Sequence, residues 1–155
     1  MKTTNIIFAA GLFLLTACGL EEHEAYQTPF VHIMKDDAST AIVSAQANTP
    51  ASRPDSYSVY LSTAPLKNNL VVDFDLIVGN GLQEGRDFVM VTQGRSLTFL
   101  PGIYDMPIRI RWIANPVDPT KDNTLTIVLV DTNKGFNLGL PGPDHLQSRF
   151  TITKK

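Results

Sequence analysis

The chain holds one cysteine, so it cannot form an internal disulfide, and no pattern of cysteine and histidine has zinc-site spacing. An excess of charge is also missing: 13 basic against 15 acidic side chains leave a formal charge of −2 in 155 residues. With no basic field to attract a phosphate backbone, nucleic acid is excluded as the expected partner. No apolar run is long enough to span a bilayer. Ile6 to Leu15, broken only by Gly11, is ten residues, against about 20 for a membrane helix. Catalytic signatures are absent too: there is no Gly-x-Ser-x-Gly elbow and no His-Glu-x-x-His pair. The three histidines, His23, His32 and His145, have no partner indicated by spacing and read as surface or packing residues. What is present, 43% hydrophobic and 18% charged side chains, suits one ordinary globular domain rather than a disordered chain. Ten glycines and ten prolines favour a loop-rich β fold.

The N-terminus is read first. Lys2, a short apolar core and small residues follow one another in the order of a secretory signal. Its end, Leu15-Thr16-Ala17-Cys18, resembles the lipobox of bacterial lipoproteins. That resemblance implies that residues 1–17 are a signal peptide and that Cys18 becomes the lipidated first residue. Three acyl chains exceed the two-signal threshold for stable anchoring. The membrane is then a partner through lipid alone. Residues 18–28, with Glu21, Glu22 and Glu24, read as an acidic tether. Such a run keeps a linker soluble, and it also resembles the surface-export signal of lipoproteins from glycan-consuming Gram-negative gut anaerobes. The expected place is the outer membrane, facing the cell surface.

Residues 29–155 are expected to form one domain. Short alternating segments are separated by turn signals, with no sustained helical period. Strands are predicted at Phe30–Met34, Ser56–Ser62, Leu70–Val78, Phe88–Val91, Ser96–Phe99, Met106–Ile113, Leu125–Val130 and Phe150–Thr153. Ala41–Ala47 alternates weakly and is read as continuing the first strand at a sheet edge. Period two sends Val59, Leu61, Val72, Phe74, Leu76, Phe99, Ile108, Ile110, Trp112, Ile127 and Leu129 inward. The class expected is all-β: an immunoglobulin-like antiparallel sandwich of about seven to eight strands.

Glu84-Gly85-Arg86-Asp87-Phe88, then Leu97-Thr98-Phe99-Leu100-Pro101-Gly102, then an alternating strand ending near Trp112, resemble the Calx-beta type of immunoglobulin-like domain. Leu125 to Leu129 stands where that family has its next core strand. With the lipobox and the late Gly139-Leu140-Pro141-Gly142-Pro143 loop, the whole arrangement also resembles small surface lipoproteins of gut anaerobes. The setting this implies is an accessory of a glycan-uptake assembly.

Four chemistries follow for testing. Calcium, which Calx-beta domains bind through clustered carboxylates, needs six to eight oxygen ligands. Asp118 and Asp122, joined by Asp36, Asp37 or Asp87, are the candidates for a calcium-binding structural or adhesion domain. Lys121 breaks the acidic loop, so no metal or other cofactor is expected. Asp73 and Asp75 lie two apart on one strand, their Cα atoms about 6.6–6.8 Å from each other. That overlaps the ~6.5–9.5 Å carboxyl spacing of inverting glycosidases. No feature of the sequence raises the pKa of either acid, so a non-enzyme is expected. Tyr60 and Tyr104 fall on the polar side or in a turn, where aromatic rings stack on sugars; Arg109 and Arg111 keep a strand face soluble or offer a small anion patch. Phe136, Leu138 and Leu140, in the Gly/Pro-rich loop 135–143, either cover one end of the sandwich or dock a partner protein.

Overall fold

The computed structural model describes residues 27–35, 41–45 and 53–155. The expected signal peptide, Cys18, most of the acidic tether with His23, and Asp36 and Asp37 lie outside the described residues. Among the described residues there are ten strands: β1 (Phe30–Met34), β2 (Ala41–Val43), β3 (Asp55–Ser62), β4 (Leu70–Val78), β5 (Phe88–Met90), β6 (Ser96–Phe99), β7 (Asp105–Trp112), β8 (Thr124–Thr132), β9 (Asn137–Leu138) and β10 (Arg149–Lys154). They form two five-stranded sheets, ordered β5-β7-β3-β1-β9 and β2-β10-β8-β4-β6. The fold is an all-β sandwich.

Alternation decides which face of each strand is buried. In the first sheet Val31, Ile33, Tyr57, Val59, Ile108, Ile110 and Trp112 point inward; in the second, Leu70, Val72, Phe74, Phe99, Leu125, Ile127 and Ile152 meet them. Tyr57 and Phe150 join the sheets ring to ring, with centroids 5.4 Å apart. The buried indole Nε1–H of Trp112 donates to the Tyr57 hydroxyl at 3.3 Å. Burial pushes that phenol well above its ordinary value, so the hydroxyl stays neutral and remains an available partner.

One irregularity preserves the core. The pairing of β4 with β8 slips between Asp73 and Phe74: Asp73 faces Asp131 but Phe74 faces Leu129, leaving Val130 as an extra residue. Val130 and Asp131 are both exposed and Thr132 is buried. Strict alternation would have turned Asp131 inward; the bulge turns it out instead.

Three expectations are corrected. Ala41–Val43 does not continue β1; it crosses to the other sheet and pairs in parallel with β10, because its inward residues Ala41 and Val43 find cover there. Leu76 is only half-buried, since β6 pairs with Leu70–Asp73 alone and leaves the end of β4 as a sheet edge. A two-residue strand, β9, joins β1 in parallel within the Gly/Pro loop, so the sandwich has two parallel edge pairings and more than eight strands.

Candidate functional site

The loops at one end of the sandwich bring the calcium candidates into view. Asp87, just before β5, is buried, and both of its carboxylate oxygens accept hydrogen bonds. Its Oδ2 accepts Arg86 Nε at 2.7 Å and the Gln83 amide at 2.8 Å; its Oδ1 accepts Asn115 Nδ2 at 2.7 Å and Lys154 Nζ at 3.4 Å. Burial alone would raise this carboxyl, but hydrogen bonds from Arg86, Asn115 and Gln83, with the charge of Lys154, hold it below its ordinary range. Lys154 comes from β10 of the opposite sheet. Its side chain is 0% exposed and that of Asp87 1%, and Nζ also donates to the Ile113 carbonyl at 2.8 Å. Burial pulls the ammonium below its usual value despite Asp87.

The loop acids are engaged locally. Asp118 Oδ1 accepts the amide and hydroxyl of Thr120 at 3.0 and 2.7 Å, and these bonds lower its pKa. Asp122 Oδ1 binds Thr124 in the same way. Lys121 approaches Asp118 at 3.9 Å. The turn Gly79-Asn80-Gly81 packs tightly under this loop, and a Cβ at either glycine would collide with Asp122 or Asn123. Among the described residues, no three His, Cys, Asp or Glu side chains converge as metal ligands do.

The outer face of the first sheet is different. Register sets His32 of β1 directly opposite Tyr60 of β3. Their rings stack at 5.5 Å with planes 22° apart, and the Phe30 ring lies 5.6 Å from that of His32, tilted by 37°. All three are half-buried. The Nδ1 atom of His32 is buried without a hydrogen-bond partner among the described residues, and burial lowers the pKa of the ring. Ser58 and Ser62 share this face, with Met34 across from Ser58. Tyr104, in the turn before β7, is 38% exposed, and its carbonyl accepts the Leu61 amide. Arg109 and Arg111 stand exposed on the same sheet. The arrangement is an apolar ring row bordered by hydroxyls, which suits stacking rather than acid–base work.

The other candidates separate. Asp73 accepts the Ser96 hydroxyl, while Asp75 accepts the Leu76 amide and stands 4.0 Å from Arg95. They border an open depression of about 440 Å³ with Val130. Phe136 and Leu138 pack half-buried against the core, and Leu140 lines a hollow of about 240 Å³ with Ile33, Met34 and Phe150. The loop binds its own domain: Gly139 donates to the Val31 carbonyl at 2.7 Å, and the Ile33 amide donates to Gln147 at 2.9 Å. These bonds cover the open edge of β1.

No protein-family model matches the sequence, and no curated protein sequence matches it. Solved structures do. One is a crystal structure of the apo form of the Calx CBD1 domain, with a TM-score of 0.55 at 17% identity, covering 83% of this chain and 99% of that one. The fold is Calx-beta-like. A second is the calcium-binding domain CBD12 of CALX1.1, with a TM-score of 0.50 at 16% identity; this chain spans 44% of its length. At such identities the likeness is one of architecture.

Proposed function

We propose that this chain is a non-catalytic surface module, held at the outer membrane by lipid on Cys18, which binds an extracellular glycan as an accessory of an uptake assembly. The observation that carries the reading is the row Phe30, His32 and Tyr60 on the outer face of the first sheet. Sugar rings present apolar C–H faces, and flat aromatic side chains bordered by hydroxyls complement them. A lipid tether adds effective concentration toward partners in the same membrane, so a modest affinity suffices. Asp73 and Asp75, each tied to a different neighbour on an open face, favour binding over hydrolysis.

The test takes the lipidated protein from its own membrane, in detergent, onto a glycan array. Tyr60→Ala should weaken retention about ten-fold, the equivalent of ~1.4 kcal/mol, and Cys18→Ala should abolish incorporation of a fatty-acid label. Cleavage of a polysaccharide by the purified protein, or retention unaffected by Tyr60→Ala, overturns the reading.

A further inference from the structure

Lys154, Asp87 and Asn115 meet at a single oxygen atom. The Oδ1 of Asp87 accepts both the Lys154 ammonium at 3.4 Å and the Asn115 carboxamide nitrogen at 2.7 Å. The amine and carboxylate are sealed from water, and the carboxamide is half-buried beside them. Nζ is fixed further by the carbonyls of Ile113 at 2.8 Å and Asp87 at 3.3 Å. The three residues come from separate places: the end of β10 in the second sheet, the residue just before β5, and the loop leaving β7 in the first sheet. Nothing in the proposed glycan site uses them.

We propose that Lys154 and Asn115 condense into an intramolecular amide, with Asp87 carrying the protons, joining the two sheets covalently. Nζ attacks Cγ of Asn115, and a new C–N bond forms. Asp87 Oδ1 takes two protons from Nζ in turn, one before the attack and one from the tetrahedral centre, and delivers both to Nδ2, which it already touches. The Cγ–Nδ2 bond then breaks. The protonated lysine and the neutral carboxamide become an amide and an ammonium ion, so charge balances with no oxidant or other co-reactant. The surroundings suit each role. Burial draws Lys154 toward the free amine, which is the nucleophile. Asp87 Oδ1 touches both nitrogens, so it can pass protons from one to the other. Arg86 occupies Oδ2 and leaves Oδ1 to be shared by the attacking and leaving nitrogens. Holding the reactants together in a dry site supplies the proximity that amide exchange lacks in water.

The sequence adds a useful control. Asn115 precedes Pro116, and proline has no backbone N–H, so the usual attack by the following amide cannot expel ammonia from this asparagine. Loss of ammonia at Asn115 therefore reports another nucleophile.

The experiment uses the full protein purified from its own membrane, unfolded and digested with trypsin. Residues 112–121 should appear joined to the peptide that begins at Phe150, lighter than the two together by one ammonia, with no cleavage after Lys154. The joined peptide should be near-complete in the wild type and absent from Asn115→Ala in protein that circular dichroism shows to be folded. Asp87→Asn should leave the peptides separate in protein that circular dichroism shows to be folded. Separate peptides from the wild type, carrying a free Asn115 carboxamide and a cleaved Lys154, overturn the proposal; a link equally abundant in Asp87→Asn overturns the part given to Asp87.

Discussion

Strand β4 predicts a graded response to one kind of substitution. Val72, Phe74, Leu76 and Val78 share a phase, yet burial falls along them: Phe74 is 2% exposed, Leu76 half-buried and Val78 40% exposed. The cause is the length of β6, which pairs no further than Asp73. Phe74→Ala removes a fully packed ring that also carries the Arg95 guanidinium 5.9 Å from its centroid, and should cost about 3–5 kcal/mol. Leu76→Ala loses roughly half of the ~1.5–3 kcal/mol that burying a leucine contributes, so about 1 kcal/mol is expected. Val78→Ala should stay within about 0.5 kcal/mol, as surface changes do. With a urea slope near 2 kcal/mol per molar, the three midpoints should fall by roughly 2 M, 0.5 M and less than 0.25 M. Urea unfolding followed by tryptophan fluorescence reads them, because Trp112 is buried and unique. Equal shifts for all three, or a larger one for Val78 than for Leu76, would show that the edge left by β6 does not govern burial here.

Gly139 has φ of +89°, and a Cβ there would strike the His145 carbonyl; Gly139→Ala should therefore cost more than ~2 kcal/mol, whereas Gly102→Ala, at φ +88° with open space around it, should carry only the ~1 kcal/mol of backbone strain. Comparable melting temperatures for the two variants would refute the close packing of that loop. Burial holds His32 below its ordinary 6.5, so the unfolded chain takes up the proton first, and stability should decline as pH falls through 6.5 toward the lowered folded value. His32→Phe should flatten that part of the profile, and an unchanged slope would count against it. Millimolar calcium should leave the melting temperature unmoved, while a rise of several degrees reversed by chelator would mean that the loop acids gather around a metal after all.

Period-two patterning made most of the sandwich legible. The bounds of β1, β4 and β6 follow from alternation alone, because one face of each is buried and the other wet. Two elements escaped for stated reasons. β9 is two residues between glycines, too short for any period to register. Ala41–Val43 gives the same pattern in either sheet, and only the free side of β10 decides where it pairs. Leu76 shows a further limit: phase says which way a side chain points, not whether anything lies over it.

The site was less legible because its contacts join distant segments. Tyr60 was visible as an aromatic residue on a polar face, but His32 and Phe30 become its neighbours only through the register of β1 against β3. The corner Gly85-Arg86-Asp87-Phe88 was visible as turn chemistry, whereas its partners Asn115 and Lys154 arrive from the other loop and the other sheet. A signal for Lys154 did exist: Phe150 and Ile152 set an inward phase, and Lys154 is its next member. A charged residue on an inward phase demands a counter-charge within the protein, and Asp87 is the carboxylate that meets it. The same pairing bears on the Calx-beta likeness. A divalent cation at this end would meet an Asp87 already held by Arg86, Gln83 and Asn115, and would have to strip Asp118 and Asp122 of their threonine partners. The described carboxylates at this end are therefore each satisfied by the protein's own donors.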